Sequence, residues 1–232
     1  MALKEELTEA VTKILRELWS ERDGQKVPGP EDLQLGNDAV KLDGTVLYAD
    51  MTDSTKLVDS HIPQFAAEVY KSYLTCAAKI VKSEGGVITS YDGDRIMAVY
   101  IGDSKNTSAV RSAMKINYAV LSIINPAIRN QYPNTDFQLK HVVGVDTSSL
   151  YVARIGVRND NDLVWVGRSA NHAAKLCAIK EDNTTFISSD VFNNMNDQCK
   201  YDGQNKEFMW KERQWTQMNN IKIYSSSWRW VV

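Results

Sequence analysis

One stretch, GTVLYADMTDST from Gly44 to Thr55, constrains this chain more than any other. Thr45 to Ala49 is apolar and β-prone and reads as a buried strand. Asp50 follows at once, and then Thr52, Asp53, Ser54 and Thr55, small polar residues suited to starting a helix. A carboxylate placed where a core strand ends and helix amides begin can hold a cation beside a phosphate-binding backbone. The same residues also fit a helix cap with no ligand. A second acid further along decides between these readings.

The elements after residue 44 read in order as follows. Strand 44–51 precedes a helix at about 62–84, with Phe65, Val69, Tyr73, Ala77 and Ile80 on one face and Gly85-Gly86 ending it. Residues 87–90 and 95–100 flank Asp92-Gly93, a hairpin signal. A long helix over 106–131, bent at Pro126, leads to an alternating strand from Phe137 to Thr147. The order βαββαβ predicts an α+β, ferredoxin-like sheet. In that topology the first and third strands are adjacent and antiparallel, so Asp50 and Asp94 meet at one end. Like charges that close repel unless a cation lies between them. The pair therefore predicts a divalent metal site, and its hard oxygens, with no His or Cys near, favour Mg²⁺ or Mn²⁺.

The rest of the chain is read more coarsely. Leu3, Leu7, Val11, Ile14, Leu15 and Leu18 predict an amphipathic helix over 2–22, which would cover the domain or pair with a partner's copy. Asp23-Gly24 and Pro28-Gly29-Pro30 predict a linker. Leu150 to Gly156 should continue a hairpin after residues 147–149, with a strand at 162–166 and a helix from Gly167 to about Lys180. Asn171 and Lys175 share a face of that helix, and His172 should lie on its surface. A strand at 184–188, a short helix at 189–195 and strands near 206–213 and 221–231 follow, with Trp210, Trp215, Trp228 and Trp230 as packing anchors. The 232 residues suffice for one core, and a net charge of −2 gives no general attraction to nucleic acid or an acidic membrane. Cys76, Cys177 and Cys199 suggest reduced, cytoplasmic thiols. No apolar run reaches membrane-spanning length.

Four segments together resemble the catalytic domain of class III nucleotidyl cyclases. YADMTDST (48–55) resembles their metal strand and phosphate loop, and YDGDRIMAV (91–99) their second metal hairpin. HVVGVDT (141–147) resembles their central hairpin, and VGRSANHAAKL (166–176) the helix bearing transition-state residues. The resemblance covers about 40–230 and implies a division into an N-terminal helix and linker, 1–38, and a catalytic domain, 39–232. It implies that Asp50, Asp94 and the Met51 carbonyl bind two divalent ions (Mn²⁺ or Mg²⁺). The amides from Met51 through Thr52, Asp53 and Ser54 to Thr55 would hold the triphosphate. Asn171 would hold the ribose, and Lys175 the charge developing on the α-phosphate. In this family the last two come from the opposite subunit of a head-to-tail homodimer.

The departures narrow the expectation. Lys175 stands where Arg is usual, and Ser148 where Gly is usual. Ser90 and Val164 occupy the base-reading positions and keep none of the purine-reading chemistry, and Arg95 is placed either to serve the phosphates or simply to pair with Asp92. Tyr48 would make a shallower base pocket. These features resemble the pyrimidine cyclases of bacterial Pycsar antiphage systems, which implies UTP as substrate, cyclic UMP as product and a separate effector chain. Cyclic CMP, then cyclic AMP, are the alternative products. Diguanylate cyclases, RNA-recognition modules and an inactive regulatory domain share parts of the pattern. Lys206, Lys211 and Arg213 are equal choices for a triphosphate contact, and fit a solvated strand edge at least as well.

Overall fold

The computed structural model of the chain describes residues 2–179 and 184–232. Its centre is β2, Asp38–Met51, whose alternating side chains serve two cores. Leu47, Ala49 and Met51 face one helical layer, formed by α3 (Pro63–Ser83) and α4 (Lys105–Ala119). Val40, Leu42, Val46 and Tyr48 face the other side, where α6 (Arg168–Leu176) packs with Ala170 and Ala173. This period-two alternation fixes the register, because a one-residue slip would exchange the two cores.

Antiparallel β4 (Arg95–Tyr100) lies on one side of β2, and antiparallel β5 (His141–Val157) on the other. The sheet order is β3-β4-β2-β5-β7-β9-β8, with β3 at Val87–Asp92, β7 at Thr185–Ser188, β8 at Lys211–Trp215 and β9 at Ile221–Ser226. Its first four strands, with α3 and α4, are the expected βαββαβ unit. The turn between β3 and β4 uses Gly93 at φ +59°, in the left-handed region that Asp-Gly turns require.

Several boundaries differ from the sequence reading. The first helix, α1, stops at Arg16, and Ser20–Asp23 is a strand, β1, pairing in parallel with Asp38–Lys41 at the start of β2. Pattern alone joined the two because Leu18 continues the apolar spacing. α1 buries no residue, so it does not cover the domain. Its carboxyl end is tied down by Asn37, whose side-chain amide donates to the carbonyls of Ile14 (2.8 Å) and Glu17 (2.7 Å). A short helix, α2 (Ser54–Ser60), precedes α3. The long helix is divided by a π turn, Val120–Ile124, before α5 (Asn125–Gln131). Pro126 cannot donate to the carbonyl one turn back, and the backbone relieves this by widening just ahead of it.

The predicted strand from Phe137 starts only at His141. The Asn125 side chain ties down the approach to it, bonding both the amide and the carbonyl of Leu139. No turn occurs at 147–149, where β5 runs straight on against β2. The reversal comes at Asn159, φ +75°, leading into β6 (Asp160–Val166). The late strands are shorter than expected. Past Ser226 the chain leaves the sheet and packs on α4, where the Asn117 side chain donates to the carbonyls of Ser227 and Trp228. Trp210 and Trp215 are buried, while Trp228 and Trp230 pack against the main core, as anchors should. α6 ends at Leu176; the expected end near Lys180 lies outside the described residues. No described helix is long and apolar enough to cross a membrane.

Candidate active site

Asp50 is the penultimate residue of β2, directly opposite Arg95 on β4. Asp94 precedes that arginine in the turn, so both acids sit half-buried at one end of the central pair. Burial first, and the Asp94 carboxylate second, push the Asp50 pKa up to about 6. Arg95 pulls the other way, but it is shared. Its guanidinium pairs with Asp92 at 2.9 Å and lies 5.5 Å from the centre of the Tyr48 ring. Negative charge is thus concentrated with too little cation beside it. Two hard carboxylates next to the Met51 carbonyl suit an oxygen-seeking divalent ion. Among the described residues no group of three or more His, Cys, Asp or Glu converges. An ion here would complete its shell from backbone, nucleotide or water, as Mg²⁺ commonly does.

Beyond Met51 the backbone turns sharply. The Thr52 amide donates to the Lys140 carbonyl at 2.9 Å and so is already engaged in the fold. Asp53 takes a left-handed conformation, φ +59°, and its carbonyl accepts the first bond of α2 from Leu57. The amides of Ser54 and Thr55 then stand at the head of α2, with no carbonyl one turn behind them. Of the five amides expected to face phosphate, Thr52 is engaged in the fold, while those of Ser54 and Thr55 head the helix. Ser90 is half-buried on β3 opposite Met97, just past a bulge at Thr89. Tyr48 is half-buried, packed with the second core.

The remaining predicted residues lie elsewhere. Asn171 and Lys175 are exposed on α6. Asn171 donates its side-chain amide to the Gly167 carbonyl at 3.4 Å, and Lys175 reaches the Met218 sulfur at 3.9 Å, both long contacts. Val164 pairs with Ala153 on the far half of β5, whereas Asp50 pairs with Val142. Eleven residues of strand separate those partners, on the order of 35 Å at 3.2–3.4 Å per residue. One chain therefore does not bring Val164 to the acids. Lys211 and Arg213 lie on β8, four strand spacings from β2, and Arg213 bonds Ser225 at 3.2 Å. Lys206 is exposed in the preceding loop.

His172 is not a surface residue. It turns toward the sheet, with Nδ1 3.2 Å from Oδ2 of the fully buried Asp146 and its ring edge-on to Trp215. Arg168 approaches the same oxygen at 3.4 Å, donates to the Thr147 carbonyl at 2.8 Å and pairs with Asp190. Ser148 and Ser169 share a hydroxyl contact at 2.9 Å, and Ser148 Oγ accepts from the Ser169 amide at 3.0 Å. The serine that replaces a usual glycine thus caps α6 from the neighbouring strand. Gly144 lets the helix in: a Cβ there would stand 2.2 Å from the Ala173 carbonyl. The sequence reading missed this network. Its signal was an acid on the inward alternation of β5, within VGVD.

Across its whole length the chain is 48% identical to a uridylate cyclase of Xanthomonas perforans and 49% identical to one of Burkholderia cepacia, each matched over its full length. It belongs to the class III nucleotidyl cyclase family. Solved structures of the same fold include the adenylyl cyclase CyaB from P. aeruginosa (TM-score 0.68, 18% identity, 81% of this chain and 95% of that one). The guanylyl cyclase Cya2 superposes equally well, with TM-score 0.68 and 18% identity over 82% of this chain and 94% of that one. No family model matches the sequence. As a nucleotidyl cyclase, the chain carries on β2 and the β3–β4 turn the acids that its sequence motifs single out.

Proposed function

We propose that this nucleotidyl cyclase converts UTP to 3′,5′-cyclic UMP and pyrophosphate. The observation that carries the reading is full-length identity of nearly half to uridylate cyclases, joined to the Asp50–Asp94 pair at the head of the loop into α2. The ribose 3′-oxygen forms a bond to the α-phosphorus, the bond from that phosphorus to the bridging oxygen breaks, and the 3′ proton and pyrophosphate leave. Divalent cations bound by Asp50, Asp94 and the Met51 carbonyl would lower the 3′-hydroxyl pKa and neutralise the leaving pyrophosphate. Ser54 and Thr55 amides hold the triphosphate. Asn171 orients the ribose and Lys175 offsets charge developing on the α-phosphate.

Both come from a second copy. This is supported by the exposure of Asn171 and Lys175 and by the absence of any bond from them to either acid among the described residues. A head-to-tail homodimer then has two shared sites. Tyr48, flanked by Arg95, narrows the base pocket, and neither Ser90 nor Val164 offers the charged or amide group that reads a purine. The product acts as a second messenger in antiphage defence, through a separate effector. Purified protein given each of the four NTPs with Mn²⁺ should yield cyclic UMP as main product. Cyclic AMP alone would refute the pyrimidine assignment, and cyclic CMP alone would refute the choice of UTP.

A further inference from the structure

α6 carries both Asn171 and Lys175, and besides its apolar packing and the Ser148 cap it meets the sheet at a buried charge that the reaction itself does not use. Asp146 has no solvent exposure. One carboxylate oxygen accepts from the Thr147 amide at 2.8 Å. The other has no well-aligned hydrogen bond, only His172 Nδ1 at 3.2 Å and Arg168 Nε at 3.4 Å. A buried carboxylate without a partner is costly, so this one draws α6 inward through the two α6 side chains that can answer it. Burial holds the His172 imidazole below its usual value, against the opposing pull of Asp146. Two other charges border the cluster. Asp190 on α7 (Ser189–Asn194) competes for Arg168, and Lys175 disfavours a second positive charge on His172.

The spacing joins this latch to the reactive side chains. Arg168 and His172 are four apart, as are Asn171 and Lys175, and on a helix the four positions lie within one 100° arc. A roll of α6 that breaks the Asp146 contacts therefore carries Asn171 and Lys175 with it. Displacements near 1 Å in catalytic groups cost roughly 100-fold in rate.

We propose that Asp146 is a positioning residue for catalysis, holding α6 through His172 and Arg168 at the roll that presents Asn171 and Lys175 to the nucleotide. This rests on the assignment of those two residues above. The test is a double-mutant cycle read by steady-state kinetics with UTP and Mn²⁺. Asp146→Asn keeps size and the Thr147 bond but removes the charge; it should lower kcat at least tenfold with KM within about threefold. In an Asn171→Ala/Lys175→Ala background the same change should lower kcat less than twofold, because both groups it positions are gone. His172→Asn, which keeps a donor near Nδ1, should retain most activity, and His172→Leu should behave like Asp146→Asn. The histidine pair serves alone if Asp146→Asn does not fold. Equal loss from Asp146→Asn in both backgrounds, or His172→Asn as slow as His172→Leu, would overturn the proposal. Full activity of Lys175→Ala would instead overturn the assignment beneath it, and the proposal with it.

Discussion

Asp50 carries its charge against its surroundings. With its pKa lifted to about 6 by burial and by Asp94, the folded chain binds more protons than the unfolded one between the ordinary carboxylate range and pH 6. Stability without metal must therefore fall as pH rises through that window. Asp50→Asn should raise the melting temperature at pH 7.5 in a chelator, by about 2–4 °C for each kcal/mol relieved, and the gain should vanish near pH 4. Mn²⁺ should stabilise the wild type and leave Asp50→Asn unmoved; scanning fluorimetry reads both. On α6, Lys175→Ala should cost roughly 100- to 1000-fold in kcat, the range for one transition-state charge donor, while Lys175→Arg keeps most activity. The acids were legible in the sequence because each ends or begins a recognisable strand. His172 was not, since its position is set by Asp146 on another element, which helix periodicity does not see.

At the scale of elements, α6 depends on a bare backbone beneath it. Gly144→Ala puts a methyl 2.2 Å from the Ala173 carbonyl and should destabilise by about 1–3 kcal/mol, read from the urea midpoint. Gly203→Ala, with nothing within 4 Å, is the control and should change little. α3, the β3–β4 hairpin and the alternation of β2 and β5 were legible because burial on one face writes itself into the pattern. What hid was settled by tertiary pairing. SERD at 20–23 has no strand pattern and becomes β1 because β2 offers it an edge. Ser148 and Ser149 look like a turn, yet they stay extended against Gly44 and Asp43. The π turn before Pro126 is a local answer to one missing donor, and the sequence predicts the disturbance without its form.

For the molecule as a whole, element order was enough to give the βαββαβ arrangement and to bring Asp50 and Asp94 to one end of the sheet. It could not show how Asn171 and Lys175 relate to them, because helix periodicity says nothing of where α6 lies against the strand ends. The folded chain holds the acids at the strand ends and leaves the two α6 side chains facing outward, which fits a site completed by a second subunit. Mixing two inactive variants tests this most directly. Asp50→Ala and Lys175→Ala proteins, dissociated together and reassembled, should regain roughly a quarter of wild-type cyclic UMP formation, since half the dimers are mixed and each has one intact site. If the mixture stays as inactive as either variant alone although mixed dimers form, the shared site is wrong.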